Sequence, residues 1–471
     1  MTKRISSAFM QRLPLGWASV AVLGVALAGC SLVPEYQRPA APVPGQFPGA
    51  DKAAATAVPK WQDYFRDPEL HKLIAAALEH NRDMQAALAR VEEARALAGV
   101  ARADRFPTVN GQVSGNRART PWDLSGTGQT RISSRYDVNL GITAFELDFW
   151  GRVAALSQAA RAQYLATDEA AKSFRISLIS SVADTWFQLG ELDERERQAK
   201  EILQNREDSL TLVRKRREAG LASDLDVLAA EGIAESVRVQ QSELKRQRAQ
   251  LENALNLLTG MSVDLPKPVQ SASQTPLEDL APGLPSEVLL KRPDVRAAEQ
   301  SLIAANANIG AARAAFFPRI SLTAAAGTAS SQLSGLFDSN SQAWTFQPAL
   351  SIPLFDAGRN SANLDLAKAR KVEAVANYEK TVQQAFREVA DALAARDAYK
   401  EQLTAQEANL KAQEGLFNKV KLREKAGVAT YLEVLDASRS AFAAEQSMET
   451  ARRQYLSAQL ALYKALGGGE Q

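Results

Sequence analysis

Little in this chain could hold a metal or a disulfide: its 471 residues include one cysteine, Cys30, and two histidines, His71 and His80. A lone thiol excludes an internal disulfide, so packing must carry the stability. The histidines stand nine apart, off the i, i+4 spacing of a helical metal pair, and read as surface residues. No phosphate-binding glycine loop follows a strand, since Gly126-Thr127-Gly128 falls in a polar loop. These absences argue against an enzyme, and the reading calls for no metal and no cofactor. Long apolar runs are missing as well. After residue 30 none approaches the roughly 18 residues that a membrane helix needs, so any membrane crossing must be made by strands. Neither sign of charge dominates: losing Lys3, Arg4 and Arg12 with a leader takes 56 basic residues to 53 against 54 acidic ones, a formal −1 that gives nucleic acid no footing.

Proline is absent between Pro121 and Pro266 and again after Pro353. Glycine is nearly absent from two stretches, Arg152 to Ala219 with only Gly190 and Arg359 to Ala426 with only Gly415. These stretches predict helices of unusual length, roughly 100 Å each at about 1.5 Å per residue. Apolar residues recur along them at helical spacing, as in Phe174, Leu178, Val182, Trp186 and Leu189, and in Tyr378, Val382, Phe386, Val389 and Leu393. Each rod then turns at a glycine and returns through a shorter helix, Ser223 to Thr259 or Thr430 to Leu466.

What is present at the N-terminus is a basic start, a largely apolar stretch from Leu13 to Ala28, and Leu27-Ala28-Gly29-Cys30. This pattern predicts a lipoprotein signal peptide over 1–29 with Cys30 as the lipidated first residue of the mature chain. Each buried acyl methylene contributes about 0.8 kcal/mol, so several chains on one residue anchor firmly. Ser31, being no aspartate, fits sorting to the outer membrane.

The rest of the chain is duplicated. Asn81-Arg82-Asp83 aligns with Arg292-Pro293-Asp294, and Arg105-Phe106-Pro107 with Phe316-Phe317-Pro318. Gly151-Arg152 then aligns with Gly358-Arg359, and Ala219-Gly220-Leu221-Ala222 with Ala426-Gly427-Val428-Ala429. The predicted organisation is a lipidated segment over 30–60, a first repeat over 61–260, a Pro-rich linker over 261–286, a second repeat over 287–467 and a tail over 468–471. Asp67-Pro68 reads as an N-cap followed by proline at the first helical position.

Ahead of each rod the apolar period falls to two. Tyr136, Val138, Leu140, Ile142 and Ala144 alternate with polar or small residues, as do Trp344, Phe346, Leu350, Ile352 and Leu354. Their predicted partners are Val109 to Gly115 and Ile320 to Ala326, with polar loops over 116–133 and 328–342. Such strands fit a lipid-facing wall with a wet inner face, or one layer of a soluble sandwich. Four strands cannot close a membrane barrel alone, and an open edge cannot lie in lipid, so a barrel must be shared between chains.

Gly283-Leu284-Pro285-Ser286, followed by Leu289-Leu290-Lys291-Arg292-Pro293-Asp294-Val295-Arg296-Ala297-Ala298-Glu299, closely resembles the central signature of TolC-like outer-membrane factors. Trp61, Phe65, Asp67 and Leu70, the paired Phe-Pro junctions and the Ala-Gly tips resemble the same family, over residues 34 to 467. The cysteine resembles that of its lipoprotein branch, whose members usually serve resistance-nodulation-division pumps. The resemblance implies a mainly α fold with a membrane β-barrel, in which a homotrimer forms a 12-stranded barrel and a 12-helix periplasmic tube. It also implies a passive outer-membrane channel whose partners are a periplasmic membrane-fusion adaptor, an inner-membrane resistance-nodulation-division transporter and outer-membrane lipid. The tips Ala219, Gly220, Leu221 and Ala222, with Ala426, Gly427, Val428 and Ala429, would contact the adaptor. Glu433 and Asp436, which the residues alone allow to be merely a solvated face, match the acidic pair of the family's periplasmic aperture. The first repeat departs from it, with Asp226 at the position of Glu433 but Ala229 at that of Asp436. Two other functions stay open, a type I protein secretion duct and a non-conducting structural lipoprotein.

Overall fold

The computed structural model describes residues 31–48, 58–265, 277–280 and 288–469. The expected signal peptide, Cys30, most of the Pro-rich linker and Gly283-Leu284-Pro285-Ser286 lie outside the described residues.

The described chain is mainly helical with one small sheet. It begins with α1 (Trp61–Tyr64), α2 (Pro68–His80) and α3 (Arg82–Ala103), then β1 (Val109–Thr120) and β2 (Arg131–Glu146), then α4 (Arg152–Glu218) and α5 (Asp224–Thr259). The order then repeats as α6 (Pro293–Ala314), β3 (Arg319–Ser330), β4 (Gln342–Ser351), α7 (Arg359–Lys425) and α8 (Tyr431–Ala465). Both long rods, α4 and α7, run 67 residues, and both helices before the strands, α3 and α6, run 22. No helix among the described residues is long and apolar enough to cross a membrane.

Two compact units divide the chain, and neither corresponds to one repeat. The first takes Met1–Arg38, Glu93–Leu165 and Gln300–Val375, and holds the sheet; the second takes Pro39–Glu92, Ala166–Glu299 and Ala376–Gln471, and holds the helical hairpins. A repeat cannot bury its apolar face alone, so each unit is built from pieces of both.

In the second unit, Asp67 caps α2 as the sequence predicts. One carboxylate oxygen accepts from the Glu69 amide at 2.9 Å and the other from the buried Trp186 indole at 2.9 Å. Removing this cap would leave the buried Trp186 indole N–H unpaired, at about 1–3 kcal/mol, and deprive the partly buried Glu69 amide of its acceptor. Tyr64 stacks on Tyr463 with centroids 4.3 Å apart. His71 is structural, its Nε2 within 2.5 Å of the Phe65 carbonyl and its ring edge-on to Trp61. Arg292, the first of two arginines in the signature run, donates to the Ala465 carbonyl at the end of α8 and pairs with Asp294 and Glu388. A cation at a helix C-terminus complements its dipole, which gives the motif a structural reason.

The rods carry buried polar pairs that periodicity does not reveal. Arg248 of α5 pairs with Asp193 of α4 and with Glu252. Arg453 of α8 reaches Glu191 of α4 at 3.0 Å. Buried pairs of this kind fix the register between helices more than they add stability, because desolvation offsets their attraction.

Candidate functional site

The sheet runs β1-β2-β3-β4, antiparallel throughout. Its register sets apolar residues side by side: Val109, Val113, Val138, Leu140 and Ile142 on the first pair, and Ile320, Leu322, Phe346 and Leu350 on the second. Asn110, Gln112, Ser114, Asp137, Asn139, Thr323, Thr345 and Gln347 share the other face. Among the described residues this apolar face is largely uncovered, with Val113 79%, Leu140 64% and Trp344 78% exposed. Covering a large apolar side chain is worth about 1.5–3 kcal/mol, and a face this continuous exceeds what a monomer in water leaves bare. Among the described residues, the outer edges of β1 and β4 have no partner strand.

The strands depart from the sequence reading in three places. β1 continues past Gly115 to Thr120 and β2 begins at Arg131, so the polar loops expected over 116–133 and 328–342 are shorter. Asn116, Arg117 and Thr120 lack apolar alternation, yet cross-strand pairing with 131–135 carries them. Ala144, expected on the apolar face, instead occupies a bulge with φ 50°, and Phe145 takes the next paired position opposite Leu322. An inserted residue of this kind resets the alternation by one. Finally β4 ends at Ser351 rather than at Leu354, because Pro353 has no N–H to continue a ladder.

Where strands meet helices, aromatic residues collect. Trp150 stacks on Phe317 at 4.7 Å and its indole donates to the Pro318 carbonyl at 2.8 Å, while Phe106, Phe316 and Phe355 stand exposed. A girdle of aromatic residues at one rim suits a water-to-hydrocarbon boundary, with Trp150 the amphipathic ring among apolar phenylalanines. Residues 32–34 lie along α6 just below this rim. The Val33 side chain fills the notch at Gly310, where an added Cβ would come within 2.4 Å of it, and Asn306 donates to the Pro34 carbonyl at 2.7 Å. The sequence assigns this stretch only to a lipidated segment over 30–60 and gives it no seat; Gly310, a glycine inside a helix, was the signal available.

At the far ends of the rods both tips have one geometry. Gly220 and Gly427 adopt φ 72° and 74°, the left-handed conformation that costs other residues about 1–2 kcal/mol. Leu221 donates to the Arg216 carbonyl and Gly220 to that of Arg217, and Val428 and Gly427 repeat the pattern on Arg423 and Glu424. These paired bonds close each rod in a Schellman turn. The return helices then start on capping boxes, Ser223 with Asp226 and Thr430 with Glu433. Leu221, Val428 and Leu432 are exposed at the tips.

Glu433 therefore has a structural task. Its carboxylate accepts from the Thr430 amide at 2.6 Å and hydroxyl at 3.1 Å. The amide bond first, then the hydroxyl, holds its carboxyl below the usual glutamate range. Asp436 pairs with Arg439 at 2.7 Å, and both are exposed. The two acids expected to act together each have a local partner.

The family described as outer membrane efflux protein matches residues 73–261 and 284–468. The chain is 48% identical over 454 residues to the solvent efflux pump outer membrane protein SrpC of Pseudomonas putida, covering 94% of this chain and 96% of that one. It is 43% identical over 463 residues to the outer membrane protein OprJ of Pseudomonas aeruginosa, covering 97% of each. Among solved structures, the open state of the MtrE outer membrane channel of Neisseria gonorrhoeae is similar with a TM-score of 0.85 and 38% identity, over 93% of this chain and 98% of that one.

Proposed function

The chain belongs to the outer membrane efflux protein family, and on that premise we propose that it is the outer-membrane channel of a tripartite efflux pump, a passive duct that catalyses nothing. The observation that carries this reading is the sheet with one uncovered apolar face, one polar face and two open edges. In lipid each unpaired backbone group costs several kcal/mol, so β1 and β4 must find partners. They are antiparallel to each other, so β4 of one copy can pair with β1 of the next in the same alternating ladder. This contact is head-to-tail and closes as a ring. Two copies would give eight strands, whose interior side chains fill; three give twelve and leave a water-filled lumen lined by Gln112, Asn139 and Gln347.

The tips of α4 and α7 would dock a periplasmic membrane-fusion adaptor, which delivers substrate from a resistance-nodulation-division transporter. Relatives named as solvent and toluene efflux components support small apolar molecules as cargo. Lipid on Cys30 would add a second attachment, and the seat of residues 32–34 beside the aromatic rim supports that reading. Deleting the chain is expected to raise susceptibility to solvents and antibiotics several-fold. Loss of an exported protein with unchanged susceptibility would instead support a secretion duct.

For the aperture, we propose that Glu433 and Asp436 of three copies bias the periplasmic opening toward cations. The capping box dictates how this must be tested. Thr430 is the N-cap of α8 and Glu433 its reciprocal partner, so alanine at 433 would strip the Thr430 amide of its acceptor, whereas glutamine keeps an acceptor there. Glu433→Gln with Asp436→Asn is expected to lower cation selectivity and weaken block by a polyvalent cation at low ionic strength, where screening is least. Single-channel recordings that match the wild type in both respects would leave these acids as helix-capping and surface charges only.

A further inference from the structure

Between α3 and α4, next to the sheet, lies a groove of about 880 Å³ lined by Arg95, Arg102, Arg105, Arg161 and Tyr164. Arg95 has a partner within the chain. The side chains of Arg102, Arg105 and Arg161 make no ion pair or hydrogen bond with any described residue. Three uncompensated guanidiniums along one groove repel each other, and an anion shared between them would turn that repulsion into attraction. The floor is cut low: Ala98 and Gly99 of α3 line it, and Gly99 has open space where a Cβ would stand.

The level of the groove narrows the choice of anion. Arg105 adjoins Phe106 of the aromatic rim, and Arg102 sits in the last turn of α3, roughly 6 Å below it at about 1.5 Å per residue. Headgroups occupy roughly 5–8 Å on each side of the hydrocarbon. Arg161 lies nine residues into α4, roughly 13 Å down, from where a long side chain can reach back toward the interface. Arginine presents a planar fork that matches two phosphate oxygens. With three such forks and no carboxylate in the lining, a net anionic lipid is favoured over a zwitterionic one.

We propose that the α3–α4 groove binds the phosphodiester headgroup of an acidic phospholipid in the periplasm-facing leaflet of the outer membrane, through Arg102, Arg105 and Arg161. This rests on the reading that the sheet spans that membrane. Tyr164, three residues beyond Arg161 on α4, also lines the groove.

The test uses the full-length protein reconstituted in vesicles of phosphatidylethanolamine and phosphatidylglycerol, then extracted and weighed intact by native mass spectrometry. Wild-type protein is expected to retain phosphatidylglycerol over phosphatidylethanolamine. R102Q/R105Q/R161Q should lose that preference by a factor on the order of a hundred, and the corresponding triple lysine variant should keep most of it. Intact oligomers in all three samples show that folding is not the cause. Protein that inserts but retains both lipids equally overturns the groove while leaving the membrane sheet standing. Equal thermal stabilisation by soluble glycerophosphate would mark a site for a free anion and also overturn the proposal. So would a glutamine variant that keeps its lipid preference but shifts ion selectivity, since that places the arginines on the lumen. Wild-type protein that never enters vesicles overturns both readings.

Discussion

Replacing Leu140 by arginine is expected to abolish membrane insertion and oligomer formation, whereas Gln112→Arg, one strand away on the opposite face, should leave both intact. Leu140 sits mid-strand on the apolar face of β2, 64% exposed and directly opposite Gly111 of β1. Gln112 is on the polar face, paired with Asn139. An arginine on the lipid side of a barrel costs about 2–4 kcal/mol near the midplane, and a trimer incurs it three times, about 6–12 kcal/mol in total. A lumen-facing arginine stays hydrated and meets no such cost. Heat-resistant oligomers in outer-membrane fractions, assayed by gel mobility, provide the readout. If both variants assemble alike, the two faces of the sheet do not differ in solvent, and the assignment of lipid and lumen sides is wrong.

The second large effect is expected at the tips. Leu221→Asp together with Val428→Asp should abolish crosslinking to the adaptor and return drug susceptibility to that of a deletion, with oligomers unaffected. Leu221 is 79% and Val428 62% exposed, so neither contributes to the packing of its own rod. Burying a carboxylate in an apolar interface costs at least the ~2 kcal/mol that defines a hot spot, about thirtyfold in affinity per copy. Substituting Gly220 or Gly427 would be a poorer test, because their positive φ strains any other residue and would alter the turn itself. Normal crosslinking in the aspartate pair would remove the tips from the docking surface.

Helix was the most legible part of this chain. The two rods begin at Arg152 and Arg359, where the proline-free, glycine-poor stretches begin, and their return helices start on the expected Ser223 and Thr430. Helical preference sums over dozens of local contacts, so a sequence states it redundantly. Strand limits were less legible because pairing is non-local: Asn116 to Thr120 are strand only because 131–135 lie opposite them. The bulge at Ala144 was hidden for the same reason, since it depends on the register with β3. At the tips, the glycines and the acid at 433 could be read from the repeat, but not the use of that acid. Thr430-x-x-Glu433 has the spacing of a capping box, and a search for a charged aperture passes over it. The groove arginines are three scattered residues in sequence, and only the pairing of α3 with α4 makes them neighbours.

The account rests on a conduit, and current through the purified protein in a planar bilayer tests that most directly. Wild-type protein is expected to give stepwise conductance, each step from one inserted trimer, with steps absent from Leu140→Arg and normal in Leu221→Asp with Val428→Asp. Trimers shown to be inserted by protease protection, yet passing no current at any voltage or in the presence of adaptor, would contradict a duct and leave a structural lipoprotein in its place.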